Sequence, residues 1–152
     1  MILRKLKSLS RLGGARQALL VEAAICLAVA RLTLVVFPFR KVAAHLGEVC
    51  QPAVSVERIR QFAGAPGEDE TARAVGWAVR FMGARVPFRA VCLQQGVAAK
   101  MMLRRRGIRS ALHFGVAYNE TGMKAHAWLD TAGAKVTGYP IGNEFTELAS
   151  FI

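Results

Sequence analysis

The amino-acid sequence predicts an α+β domain, with helices first and a small antiparallel sheet after them, on three observations. Apolar residues recur at spacings of three and four through roughly the first two-thirds of the chain, the period drops to two from Arg109 onward, and turn-forming clusters at 119–122 and 130–133 cut that second region into strands. Strands joined by short turns pair antiparallel, and helices segregated from strands make the α+β pattern. A chain of 152 residues is long enough for one compact domain and short for two. With 53% hydrophobic residues, 20% charged residues and a mean hydropathy of +0.30, global disorder is excluded.

Residues 1–17 read as a basic lead-in and 18–152 as the single domain. Leu19, Ala23, Cys26, Leu27 and Ala30 place one apolar stripe on a helix from Ala18 to Val36, which stops before Pro38 and makes Cys26 a small core residue. Glu22 and Arg31 interrupt this apolar run, so its longest uncharged piece, Ala23 to Ala30, falls far short of the ~20 residues that cross a bilayer. No small-residue cleavage site follows, which argues against secretion. The expectation is a largely buried helix, the alternative a helix lying on a membrane surface or a partner. Residues 39–50 predict a short helix ending near Gly47, with Cys50, Gln51 and Pro52 in a connector and Cys50 an inert thiol.

Ala63-Gly64-Ala65-Pro66-Gly67 is the clearest break. Glu68-Asp69-Glu70 then put negative charge in the first turn of a helix that runs through Val75, Ala78, Val79 and Met82 to Gly83, where it complements the helix dipole. The next helix starts at Cys92, carries Leu93, Val97 and Met101 as a stripe, and ends at Gly107 after Arg104-Arg105-Arg106, whose charge suits a helix C-terminus. Leu112, Phe114, Val116 and Tyr118 share one face of a strand, with Ala111, His113, Gly115 and Ala117 on the other. A second strand covers Met123 to Leu129, a third Ala134 to Thr137, and Asn143 to Ile152 forms a short helix or an edge strand.

The net charge of +11 favours an acidic partner. The basic residues are scattered without interleaved aromatics, so a nucleic-acid groove is not expected. Cys26, Cys50 and Cys92 are odd in number and lack C-x-x-C spacing, which argues against a disulfide framework and fits a reducing cytoplasm. His45, His113 and His126 form no ligand cluster with a cysteine, so no metal or other cofactor is expected.

Cys92 and His126 are the candidate catalytic residues. A helix N-terminus presents unpaired N–H groups and positive dipole charge that favour a thiolate, and a histidine on a later strand can take and return the proton. His126 shares its strand face with Lys124 and Trp128. A four-residue turn at 130–133 would put Thr137 opposite His126, and a register shift of one would put Gly138 there. Neither is the carboxylate or carboxamide that usually orients such an imidazole. Asp130 lies on the same face but about 13 Å along the strand. Thr137, Asn143, Glu144, a main-chain carbonyl, or no third member at all remain as alternatives.

The residues resemble the transglutaminase-like leader peptidases of lasso-peptide biosynthesis. The similarity includes Ala30-Arg31-Leu32 through Pro38-Phe39-Arg40, Cys92-Leu93, Leu103-Arg104-Arg105-Arg106-Gly107-Ile108, Gly115-Val116, Ala125-His126-Ala127-Trp128-Leu129 with Gly133, and the ending Phe145 to Phe151. The resemblance spans about residues 18 to 152. It implies a papain-like, transglutaminase-type fold and a cysteine protease that removes the leader from a ribosomally made precursor so that a separate lasso cyclase can act on the core peptide. Cys92 would be the nucleophile and His126 the base. Many relatives carry Asp twelve residues after the histidine, where this chain has Gly138. The resemblance also implies a separate leader-recognition protein. The basic N-terminal region is left to contact that partner, the cyclase or a membrane. An acyl-transferase using the same pair and a catalytically impaired peptide-binding scaffold are the competing expectations.

Overall fold

The apolar periodicity of the first helix places its start a turn too late, because Gly14 to Gln17 add a polar turn that carries no stripe. In the computed structural model, which describes residues 13–62 and 64–152 without the side chain of Val56, α1 spans Gly14–Val36. The predicted lead-in charges Arg4, Lys5, Lys7 and Arg11, and Ala63 of the predicted break, lie outside the described residues. α1 ends at Phe37, which is extended ahead of Pro38 and donates its N–H to the Thr33 carbonyl. α2, Phe39–Leu46, ends at Gly47 in the left-handed region at φ 123°.

Two elements depart from the expected connector after Gly47. Val49–Cys50 form β1, paired with Phe151 and Ser150, and Pro52–Gln61 form α3 with proline in the first turn, where its missing N–H costs nothing. Cys50 is therefore a buried strand residue. A two-residue strand has no periodicity to read, and α3 buries Ser55 and Ile59 with little stripe around them. α4 covers Glu68–Gly83 with its three acids in the first turn, and α5 covers Cys92–Arg104.

The sheet contains β2 (Ala111–Asn119), β3 (Gly122–Asp130), β4 (Lys135–Thr137) and β5 (Thr146–Phe151), in the antiparallel order β1-β5-β2-β3-β4. The C-terminal segment is thus neither a helix nor an edge strand; β5 is interior, between β1 and β2. A bulge between Phe114 and Gly115 of its partner breaks the two-residue alternation that would have marked it.

α4 and α5 pack on the sheet, α5 over the face that carries Leu112, Ala127 and Leu129, and α1 packs on α4 and α5. Leu27, Val79, Met102, Leu103, Leu112 and Leu129 are fully buried there, each contributing about 1.5–3 kcal/mol relative to exposure. α5 comes close to β2 at Gly96, where a Cβ would lie 2.6 Å from Leu112 Cδ1. Lys100 fixes the other end of the contact, donating from Nζ to the carbonyls of Ser110 at 2.6 Å and Phe151 at 3.1 Å. Burial, with Arg104 one turn on, brings that ammonium down to about 8.

The arginine run at the end of α5 does more than complement the helix dipole. Arg106 makes two hydrogen bonds to the Glu22 carboxylate, at 2.6 and 3.0 Å, and Arg105 stands 3.6 Å from it, so the end of α5 is tied to α1. The Arg106 hydrogen bond holds the Glu22 carboxyl below its ordinary value of 4.5, against burial, with both arginine charges adding to it. A lowered folded value means this contribution is complete above the unfolded carboxyl value and fades as pH falls through the folded one. Glu22→Gln is expected to lower stability by about 1 kcal/mol near neutrality. In acid the two urea unfolding curves should converge.

Candidate functional site

Cys92 is the first residue of α5, and its turn is held by the two glutamines that follow. Val91 is extended, and its N–H donates to Gln94 Oε1 at 2.8 Å, while Gln95 Nε2 donates to the Ala90 carbonyl at 2.9 Å. Both side chains reach back to the segment entering the helix, so the position of the thiol is set by a local clamp. Sequence reasoning assigned no role to either glutamine, though Gln at the third helical position is a known capping signal. Cys92 is half-buried, whereas Cys26 and Cys50 are 3% and 6% exposed. Burial first, then the Glu22 charge, raises the Cys26 thiol and leaves it inert.

His126 sits in β3 opposite Gly115. Its Nε2–H donates to the Gly138 carbonyl at 2.7 Å. Because a carbonyl can only accept, this bond places the proton of the neutral ring on Nε2 and leaves the Nδ1 lone pair free. Trp128, 6.0 Å away between ring centroids, and Phe145, at 5.2 Å, flank the imidazole.

The expected register is wrong on one point. Thr137 pairs with Leu129, because Asp130 pairs with Lys135 and a bulge lies between Leu129 and Asp130. Thr137 therefore does not face His126; its hydroxyl is buried on the α5 side, without a hydrogen-bond partner among the described residues. Asn143 and Glu144 make no hydrogen bond to the ring among the described residues. The chain leaves the β4 ladder at Gly138, in the left-handed region at φ 81°, and this turns the Gly138 carbonyl toward His126. A Cβ at Gly138 would strike the Ala127 carbonyl oxygen and come within 2.7 Å of Trp128 Cα, so neither the conformation nor the space admits a side chain.

The crossing of α5 over the sheet relates the thiol to the ring. Lys100 is bonded at the β2–β5 side, and Gly96, one turn earlier, lies against Leu112 with Thr137 Oγ1 3.9 Å from its would-be Cβ. Followed toward its N-terminus, the helix therefore runs from β5 toward β4. Cys92 stands one further turn on, about 6 Å along the axis. It opens on the β4 side, beyond which Gly138 holds the ring. His126 belongs to the sheet face opposite Leu112 and Leu129, while Cys92 packs against the core on the helical side, and no hydrogen bond joins them among the described residues.

Behind His126 lies a polar layer that sequence reasoning did not find. His113, 3% exposed, donates from Nε2 to Asp130 Oδ1 and from Nδ1 to Glu147 Oε1, both at 2.6 Å, which makes it an imidazolium between two carboxylates. Burial works against this charge, but hydrogen bonds and attraction from Asp130 and Glu147 outweigh it and raise His113 above its ordinary 6.5. Tyr139 donates its hydroxyl to Asp130 Oδ2 at 2.7 Å; burial and that carboxylate raise the phenol well above its usual range. Trp128 stacks on His113 at 5.5 Å and 7° and so separates the two histidines. Asp130 thus fixes Tyr139, the residue after Gly138, while Glu147 fixes the start of β5 just after Phe145. Both flanks of His126 are tied to one buried ion cluster. Residues 113, 130 and 147 meet through strand pairing across long sequence gaps, and the alternation of β2 was the sole signal, placing His113 on the His126 face.

Among the described residues no group of His, Cys, Asp and Glu is placed to hold a metal ion. A thiol opening a helix that is packed across an antiparallel sheet, with a histidine on a neighbouring strand, defines an α+β fold of the cysteine–histidine class. The family model described as the transglutaminase-like superfamily matches residues 33–150, and the chain belongs to that superfamily, which includes cysteine peptidases and acyltransferases. No curated protein and no solved structure matches it.

Gly138→Ala is expected to lower stability by about 2 kcal/mol or more in urea unfolding, and Gly138→Asp should do no better. His113 should titrate by NMR with a midpoint above 6.5. With a raised folded value, its contribution to stability is complete below the ordinary histidine value and is lost as pH rises through the folded one.

Proposed function

We propose that this protein is a cysteine peptidase that removes the leader from a ribosomally made lasso-peptide precursor, working in the cytoplasm with a separate leader-recognition protein and ahead of a cyclase. The observation that carries the reading is the Nε2–H bond from His126 to the Gly138 carbonyl, which leaves Nδ1 to act as base, with the half-buried thiol at the start of α5 as its candidate partner. The leader-peptidase assignment within the superfamily is supported by the run Ala125-His126-Ala127-Trp128-Leu129 and by Leu103 to Ile108 at the end of the nucleophile helix.

In this reading His126 Nδ1 takes the Cys92 proton, and the thiolate attacks the carbonyl carbon of the leader–core amide. The Cys92 main-chain N–H, one of the donors at the α5 N-terminus, then donates a hydrogen bond to the developing oxyanion. The imidazolium returns its proton to the departing amine, which becomes the N-terminus of the core peptide. Water, deprotonated by the same imidazole, then hydrolyses the leader thioester and releases the leader as a free acid. Closing the thiol onto the ring falls to substrate binding, since catalytic hydrogen bonds tighten in the loaded complex.

Incubating precursor, recognition protein and this protein, with mass analysis of the products, tests the reading. Leader with a free C-terminal carboxylate is expected; an amine adduct on the leader would mean acyl transfer instead. Cys92→Ala should abolish processing with precursor binding retained, and unchanged processing by that variant would sink the peptidase reading in favour of a scaffold. His126→Ala should slow cleavage about 10²–10⁴-fold. A thiol-directed alkylating agent should label Cys92 before Cys26 and Cys50.

A further inference from the structure

α1 is apolar around almost its whole circumference, yet one face is bare. Leu20, Ala23, Cys26, Leu27 and Ala30 are buried in the core. On the outer side Val21, Ile25, Leu32 and Val36 are 57–65% exposed, with Val29 and Val35 between them. At 100° per residue these six fall within an arc of roughly 120°, about four turns long, and every residue centred on that arc between Val21 and Val36 is apolar. A helix hydrophobic on all sides is ordinarily covered on all sides, and a contiguous stripe of this kind marks a contact surface.

Its charge surroundings indicate what covers it. Between residues 13 and 47 the one carboxylate is Glu22, already bonded to Arg106, while Arg31, Arg40 and Lys41 are exposed around the two helices and Arg16 lies over the Trp77 ring of α4. Residues 1–12 add Arg4, Lys5, Lys7 and Arg11 and no acid. The superfamily match begins at residue 33, so most of the stripe lies ahead of the matched region. A convex apolar rod with cations beside it and no unpaired carboxylate is complementary to anionic headgroups over acyl chains. We propose that α1 is a peripheral membrane-docking surface, lying in the headgroup–acyl boundary of an anionic bilayer with its inner face still on α4 and α5. Spanning the bilayer would strip Leu20, Leu27 and Ala30 from the core, so the helix lies along the surface.

Co-sedimentation of the full chain with phosphatidylcholine vesicles, with and without phosphatidylglycerol, tests this. Binding to the anionic vesicles is expected, more than about tenfold weaker on neutral ones and reduced by salt. Ile25→Glu with Leu32→Glu should remove binding while circular dichroism and thermal unfolding stay as in the wild type, since both positions are exposed. Replacing Arg31, Arg40 and Lys41 by Gln gives a second route that leaves the apolar face intact, and it should weaken the anionic preference. Wild-type protein that ignores anionic vesicles overturns the proposal, as does an Ile25→Glu, Leu32→Glu variant that binds like wild type. Self-association through this face, or capture of the recognition protein by it, without vesicle binding would assign the stripe to a second copy or to that partner and equally overturn it.

Discussion

The seating of α5 across the sheet is the constraint on which the rest of the molecule depends. Gly96 has no side chain, so the helix backbone comes down onto Leu112, and Lys100 ties the same helix to the carbonyls of Ser110 and Phe151. Those contacts lie one turn apart and set both the height and the direction of the helix. Its N-terminus, and with it Cys92, therefore emerges beside β4, and its C-terminus reaches Glu22 of α1 through Arg106. Val97, Ala98, Ala99, Met102 and Leu103 make the intervening contact dry, so sliding or tilting the helix would open cavities in a close-packed core.

His126 illustrates how a backbone group can stand where a side chain is usual. The Gly138 carbonyl is a neutral acceptor: it selects the ring tautomer and aims the imidazole without adding a negative charge next to it. The negative charges stand apart from the ring, on Asp130 and Glu147, and are partly offset there by the His113 imidazolium. A carboxylate in direct contact would stabilise a protonated His126 more strongly. In the present arrangement the ion cluster acts mechanically, through Tyr139 on one flank and the start of β5 on the other. The proposed membrane face of α1 lies on the helical side of the domain, so surface attachment and the His126 layer make separate demands on the fold.

Much of this was legible in the chain. The change of period at Arg109, the start of α5 at Cys92 and the face shared by His126 and Trp128 follow from local spacing, because a helix or strand records its buried side every three to four or every two residues. β1 and α3 were hidden, the first by its two-residue length and the second by a polar sequence with few buried positions. β5 was misplaced because interior position depends on partners distant in sequence. The register of β4 failed for a different reason: the turn closes on Asp130 and Lys135 instead of Leu129 and Ala134, and a bulge beside Asp130 then shifts the pairing by one more residue, which no residue at a bulge of this kind need announce.

By itself the sequence determined the fold class, the location of the thiol at a helix start and the strand that bears the histidine, since each is a matter of local periodicity and termini. The tertiary structure alone decided what holds the imidazole. That choice rests on a left-handed turn at Gly138, on the bulged register that precedes it, and on a His113 cluster assembled from three strands and a loop. Hydrogen bonds among residues 113, 126, 130, 138, 139 and 147 exist because the sheet pairs in one register, and register is a property of the whole packed sheet.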